Sequence, residues 1–583
     1  MPKRIVGIAA GIAALATGVL FLLSTTNLLS TAAASPSLEA QTQAKAHQVA
    51  VTPPPMGWSS WNSFSNTVDS KVVMAQAKAM VASGMKKAGY QYINIDEGWW
   101  LGARDANGNI VVEAKQWPAL RPGEHNGDMS NIVEFIHSLG LKAGIYTDAG
   151  EAGCGFYGPD LGPPMPHTGS EGHYDQDFAQ FAEWGFDYVK VDWCGGDHEN
   201  LDPAVQYAEI AHAIHRAEQI SWHPLYFSIC NWGSKSPWTW APGIDGVAAD
   251  IWRTSGDIVA PIVANTPNGN RKASMKGVLD NFDQGIHPSA QHTGFYNDLD
   301  MMMVGMPGLS ETQNRVHMSL WAISGAPLIV GADLAKLDNT TTAILTNPDV
   351  IAIDQDSLGL QAIKVDEPGP GLQVWARPLA TPGAHAVLLL NRNSAPAEIP
   401  VHWDAIGLDT SAKATVKDVW AGREVGSFSS AYSTTVAAGD AVFLIVRGTD
   451  ARSTHYDAVS VSSPNVLDGG ATVESCKSCP SGMKVPLGGE KSLIFRVVPI
   501  KKPTFVQVHY INMSPDPIPG QLRVDGQMPT NISFPPTGAD GAVGSITIEV
   551  ESNQTGAHST LAFSSPCATG PALESVSVLA GAH

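Results

Sequence analysis

Between residues 53 and 360, short apolar runs alternate with longer amphipathic ones, and this rhythm constrains the fold more than any other feature of the chain. The runs at 90–95, 142–147, 187–191, 225–229, 246–252 and 328–330 are rich in apolar residues, as strands covered on both faces must be. Segments 56–61 and 295–303 complete a set of eight. Stretches 70–84, 131–139, 174–185 and 204–219 are amphipathic at helical spacing. Several end at Gly84, Gly140 or Gly185, where a left-handed residue closes a helix readily. The alternation predicts a (β/α)8 TIM barrel over 53–364, with functional side chains at the C-terminal ends of its strands. No Gly-rich phosphate loop follows the first strand, which disfavours an open dinucleotide-binding sheet.

After Pro368-Gly369-Pro370 the texture turns to β with Gly, Pro and Asn turns. An antiparallel β-sandwich is expected over 365–449, and a second C-terminal β-sandwich over 453–583. At the other end, Lys3 and Arg4 precede an apolar run from 5 to 23, and small residues follow at 31–34. Residues 1–34 therefore read as a signal peptide, with an uncleaved membrane anchor as the alternative, and 35–52 as a linker. The expected location is secreted or periplasmic. The formal charge of −20 argues against nucleic acid or anionic membrane as a partner. Six cysteines fall three to each half, so bridges confined to a domain leave one thiol over in each. Cys476 and Cys479 lack the second pair that a zinc site needs. A disulfide is expected there, either local or to Cys567.

Two acidic strings carry the chemistry. In Lys190-Val191-Asp192, side chains two apart share a strand face, so the ammonium sits beside the carboxylate and keeps it ionised, as a nucleophile requires. In Arg253-Thr254-Ser255-Gly256-Asp257, a Gly-containing loop presents a carboxyl that can act as general acid. Two such carboxylates at one barrel rim are the equipment of a glycosidase. Asp96-Glu97 and Asp298-Leu299-Asp300-Met301 offer acceptors for sugar hydroxyls, and Trp61 a stacking face.

The joint pattern resembles the melibiase-type α-galactosidases, glycoside hydrolase family 27, over about 53–447. The matching motifs are Met-Gly-Trp-Ser-Ser-Trp at 56–61, Asn-Ile-Asp-Glu at 94–97, Gly-Ile-Tyr-Thr-Asp-Ala-Gly at 144–150, Lys-Val-Asp-Trp-Cys at 190–194, Cys-Asn-Trp-Gly at 230–233, Arg-Thr-Ser-Gly-Asp at 253–257 and Asn-Asp-Leu-Asp-Met at 297–301. The resemblance implies a retaining exo-glycosidase acting on terminal α-D-galactosyl residues, with Asp192 as nucleophile and Asp257 as acid/base. It places Trp61, Asp96, Glu97, Tyr146, Lys190, Cys230, Trp232, Arg253, Asp300 and Met301 around the sugar. It pairs Cys154 with Cys194 and leaves Cys230 as a thiol. No metal or organic cofactor is implied.

Two departures stand out. The family usually has Asp-Asp-Cys where this chain has Asp96-Glu97-Gly98, and the partner of that cysteine is replaced by Asn66. Glu97 adds a methylene near the position of the galactose C6 hydroxymethyl, which favours a sugar without C6. A β-L-arabinopyranosidase is thus the enzymatic alternative, and a catalytically silent sugar-binding protein the alternative of another class. Expected partners are galactose- or arabinopyranose-terminated saccharides, with polysaccharide binding by the 453–583 module.

Overall fold

The computed structural model describes residues 47–154, 168–242, 249–258, 272–459, 465–498, 500, 503–552 and 558–580. The N-terminal apolar run and its small-residue stretch lie outside the described residues, as does the start of the run expected at 246–252. Eight parallel strands form the central sheet: β1 (Met56–Ser59), β2 (Tyr92–Asn94), β3 (Lys142–Asp148), β4 (Tyr188–Asp192), β5 (Tyr226–Cys230), β6 (Ile251–Arg253), β7 (Tyr296–Asp298) and β8 (Leu328–Val330). They pair in chain order, and β8 returns to β1 with Leu328 opposite Met56. The remaining seam, between β7 and β8, is joined by a parallel bridge of Met302 to Val330. Its bonds run from Met302 N to Ile329 O at 2.7 Å and from Gly331 N to Met302 O at 2.9 Å. The barrel read from the alternation is therefore present, with β7 shorter than expected. The ladder ends at Asp298, and Asp300 beyond it takes a left-handed backbone (φ 81°).

Helices Ser70–Ala82, Ser130–Ser138, Tyr174–Glu183, Pro203–Ser221, Met275–Gln284 and Glu311–Ser324 cover the sheet. Their starts follow from local chemistry. Asp69 accepts from Val72 N, Asp202 from Ala204 N and Val205 N, and Ser310 forms a capping box with Gln313. The connection from β5 to β6 departs from the expected pattern. Among the described residues it holds only a single 3₁₀ turn, Pro237–Thr239.

Register decides which side chains enter the barrel. Tyr92, Tyr188 and Tyr226 meet at its N-terminal end, the last two stacked 5.7 Å apart, and plug it. Above them the interior thins. A methyl on Gly144 would stand 2.1 Å from Asn94 Oδ1 and 3.0 Å from Tyr188. Only glycine leaves that space, so the cavity above starts from a solid floor of small and polar groups.

A six-stranded antiparallel sheet and a two-stranded one follow, spanning Ile363–Gly369 to Ala441–Arg447. Trp375 from this region packs edge-on against Phe282 of the barrel at 4.9 Å. The C-terminal region forms two further sheets, of seven and five strands, around a core that includes Phe495, Tyr510, Phe534, Ile546 and Phe563. The described end of the expected linker, 47–52, is built into the fold. His47–Gln48 adds a parallel edge strand opposite Gly544 and Ser545, and Val49 enters that same core. The chain then runs to the N-terminal end of the barrel, where Tyr296 Oη donates to Thr52 O. Ser533 N donates to Thr293 Oγ1 just ahead of β7. The C-terminal sandwich thus docks at the barrel end opposite the strand C-termini. Cys476 pairs locally with Cys479, and Cys567 is free.

Candidate active site

The C-terminal ends of the strands align acidic and basic groups in rows. Asp148, Asp192 and Cys230 are cross-strand neighbours on β3, β4 and β5, with Tyr146, Lys190 and Ser228 one layer below. Arg253 and Asp298 are neighbours on β6 and β7. Because side chains alternate along a strand, these residues all face inward. Beside them lies a cavity lined by Asp96, Lys190, Cys230, Arg253, Asp300 and Met301 of the predicted set, and by Ser59, Asn94, Tyr188, Ser228 and Asp298 toward its floor; Tyr146, Asp192 and Asp257 are not among its lining residues.

Two cations organise the carboxylates. Lys190 Nζ donates to Asp96 Oδ2 at 2.9 Å, lies 3.7 Å from Asp192 Oδ2, and sits 5.1 Å above the Tyr146 ring. Burial works against this ammonium, but the surrounding negative charges, Asp96 foremost and Asp192 with it, together more than compensate and hold it well above its ordinary range. Burial pushes the Asp192 carboxyl up, and Lys190 pulls it back. Asp96 and Asp257 add upward pressure, and the net displacement is upward. Arg253 Nη1 lies 3.2 Å from Asp300 Oδ1, and Arg253 Nη2 donates to Asp257 Oδ1 at 3.3 Å. Burial and then Asp192 push the Cys230 thiol well up, so it stays neutral, accepting from Arg253 Nη1 at 3.6 Å. The Asp192 side chain is 7% exposed and the Asp257 side chain 50%. One carboxylate is sealed in the barrel and the other is presented on a loop.

The other expected residues are less central. Trp61 opens a short helix after β1 and is half-buried, as is Trp232, which is held at φ 53°. Neither belongs to the cavity wall described above. Glu97 is buried to 1%, and its Oε1 lies 3.1 Å from where a methyl on Gly153 would stand. Its carboxylate is thus aimed along the loop after β3. Gly98, at φ 112°, presses on Asn66, whose Cα a methyl there would approach to 2.7 Å. The two altered positions are therefore in contact.

Counting back by two from Asp96, Lys190, Cys230 and Asp300 reaches Asn94, Tyr188, Ser228 and Asp298, so strand periodicity held the signal for most of the floor. Asp148 was named only within a motif. Its carboxylate accepts from Gly150 N, Cys194 N and Gly195 N at 2.7, 2.8 and 3.0 Å, which ties the loop after β4 to β3. Asp148, Cys154 and Cys194 have ligand atoms close together, but the two cysteines are joined in a disulfide and offer no thiolate to a metal. That bridge spans 40 residues, a loop whose closure is worth about 4 kcal/mol. A reductant should therefore lower both the melting temperature and the activity, and Cys154→Ser should abolish the response of activity to it.

Comparison with known proteins agrees with this architecture. Residues 52–356 match the family described as alpha galactosidase A, and 369–446 match the alpha galactosidase C-terminal beta sandwich domain. Residues 503–578 match the alpha-galactosidase CBM13 domain. The chain is 44% identical to alpha-galactosidase A of Cellvibrio japonicus over 358 residues, covering 61% of this chain and 80% of that one. It is 39% identical to a probable alpha-galactosidase of Dictyostelium discoideum over 381 residues, covering 65% and 88%. The crystal structure of alpha-galactosidase I from Mortierella vinacea superposes with a TM-score of 0.58 at 29% identity, covering 68% and 98%. With the barrel and the sandwich behind it both matched in the same chain order, this chain belongs to the melibiase family of alpha-galactosidases.

Proposed function

We propose that the cavity removes terminal α-D-galactosyl residues from saccharides by double displacement, with Asp192 and Asp257 as the reacting pair. One observation carries the assignment of roles. The Asp192 carboxylate is buried 3.7 Å from the Lys190 ammonium at the end of its strand, while Asp257 stands half-exposed on the loop after β6. The Asp192 carboxylate attacks the anomeric carbon as the glycosidic C–O bond breaks. Asp257 gives its proton to the departing oxygen. Water then enters, Asp257 takes a proton from it, and the galactosyl–Asp192 ester is cleaved. Two inversions give overall retention. Proton NMR of an early time point should show α-galactose before mutarotation, and β-galactose appearing first would overturn the pathway.

A second reading concerns the sugar. Glu97 is buried and carries one methylene more than the family's usual aspartate, which favours a pyranose lacking C6, namely β-L-arabinopyranose. A one-carbon difference in a pocket is worth about 1–3 kcal/mol. Glu97→Asp should then raise the kcat/KM ratio of nitrophenyl α-D-galactoside to nitrophenyl β-L-arabinopyranoside about tenfold or more. A ratio that moves less than about twofold would remove Glu97 from specificity.

No described Phe, Tyr or Trp of the C-terminal module is exposed for a sugar to stack on. Five of the six aromatic side chains in 453–583, Phe495, Phe505, Tyr510, Phe534 and Phe563, are buried, and Tyr456 is half-buried. Export to an oxidising compartment accounts for the two disulfides and for the basic-then-apolar N-terminus. No described helix is long and apolar enough to cross a membrane.

A further inference from the structure

Asp257 is the exposed member of the pair, so its loop must be held from beneath. Ile258 N, one residue beyond, donates to Asp300 Oδ2 at 2.8 Å. Arg253 Nη2 donates to Ser255 O and Gly256 O at 3.0 and 2.9 Å. A further tie comes from outside the cavity. Asn281, on the helix Met275–Gln284, is 4% exposed and absent from the cavity wall. Its Nδ2 donates to Gly256 O at 3.0 Å and to Leu299 O at 3.1 Å.

Those carbonyls belong to the residues immediately before Asp257 and Asp300. A primary amide has two N–H bonds on one nitrogen, and Asn281 spends both on this pair of acceptors. One side chain thereby sets the spacing between the acid/base loop and the segment that carries Asp300. That segment is itself held in a left-handed turn, with Asp300 N donating to Asp298 Oδ1 at 2.9 Å and Trp321 Nε1 to Asp300 O at 2.9 Å. A serine in place of Asn281 keeps one donor on a shorter side chain, and alanine keeps none.

We infer that Asn281 is a positioning residue for proton transfer by Asp257, an inference that rests on the reading of Asp257 as acid/base. The carboxyl must meet the glycosidic oxygen within hydrogen-bond reach, and a misplacement of about 1 Å can cost on the order of 100-fold. The loss appears only where the leaving oxygen needs a proton. An acidic phenol departs without one; a sugar alcohol does not.

The experiment compares kcat/KM on dinitrophenyl α-D-galactoside with that on melibiose, a substrate with an alcohol leaving group. Asn281→Ala should lose about 30-fold or more on melibiose and less than about threefold on the dinitrophenyl substrate. Asn281→Ser should fall between, and carries the test if the alanine variant does not fold. Asn131→Ala is the control: this asparagine is also buried on a barrel helix, and its Nδ2 donates to His125 O at 2.9 Å. It should lower the melting temperature without changing the substrate ratio. Equal losses on both substrates, or an unchanged ratio in Asn281→Ala and Asn281→Ser, would overturn the inference. Asp257→Asn run alongside separates the two ideas. If it too lacks the leaving-group dependence, the acid/base reading fails; if it shows the dependence and the Asn281 variants do not, only the positioning role fails.

Discussion

Asp192→Ala should lower kcat on an aryl α-D-galactoside by on the order of 10⁴-fold or more, because removing a nucleophile leaves only binding and electrostatics to act. The variant should still fold, since the change removes a buried carboxylate that burial itself disfavours. Sodium azide gives the result a chemical signature. With the carboxylate gone, azide can occupy its side of the sugar and displace the leaving group in one step, producing a β-galactosyl azide. Azide added to Asp257→Ala instead intercepts the galactosyl–Asp192 ester and gives the α-azide. Opposite anomers from the two variants would fix both roles together. Turnover above about a tenth of wild type in Asp192→Ala would end the assignment, since nucleophilic participation of that kind is worth far more.

How much of this was legible beforehand depends on the range over which each signal acts. Strand positions were legible because burial on both faces imposes continuous apolar runs such as 328–330. Lys190 and Asp192 could be placed on one face because period-two alternation is a local rule. The helix ends at Gly84, Gly140 and Gly185 were legible for the same reason, and all three glycines take positive φ. Contacts that join distant segments were not legible. Nothing near His47 announces that it pairs with Gly544, and nothing near Asn281 announces two carbonyls at 256 and 299. The β5–β6 connection was missed in a different way. Its residues include Pro237, Trp238 and Trp240, whose packing is tertiary, with Trp238 stacked on His287 at 3.6 Å. The direction of Glu97 was also beyond the sequence. A methylene lengthens a side chain, but the loop at Gly153 decides where the carboxylate goes.

Lys190→Met should produce the second large effect, and its pH dependence identifies the cause. Asp192 is pushed up by burial and by the neighbouring Asp96 and Asp257 charges, and Lys190 is the opposing influence. Without the ammonium the nucleophile's pKa rises further. The reaction needs Asp192 ionised, so the acid limb of the kcat profile must move to higher pH. An opposite charge at this range shifts a carboxyl by about 1–3 units, so a displacement of at least about one unit is expected, with on the order of 10³-fold lower activity on the acid side of the new midpoint. Stability should respond with the same sign. Asp96 and Asp192, with side chains 3% and 7% exposed, lose the cation between them. Breaking such a buried pair costs about 3–5 kcal/mol when the partners stay charged. At low pH Asp192 can protonate instead, so the melting temperature of Lys190→Met should fall further below wild type as pH rises. Adding Asp96→Asn removes one of the two stranded charges. The double variant should recover stability at high pH and move the acid limb back down, although the Asp96 carboxylate proposed to hold the sugar is gone and KM should be raised. An acid limb that stays in place in Lys190→Met would mean that the ammonium does not control Asp192. Its bond to Asp96 would then be structural alone.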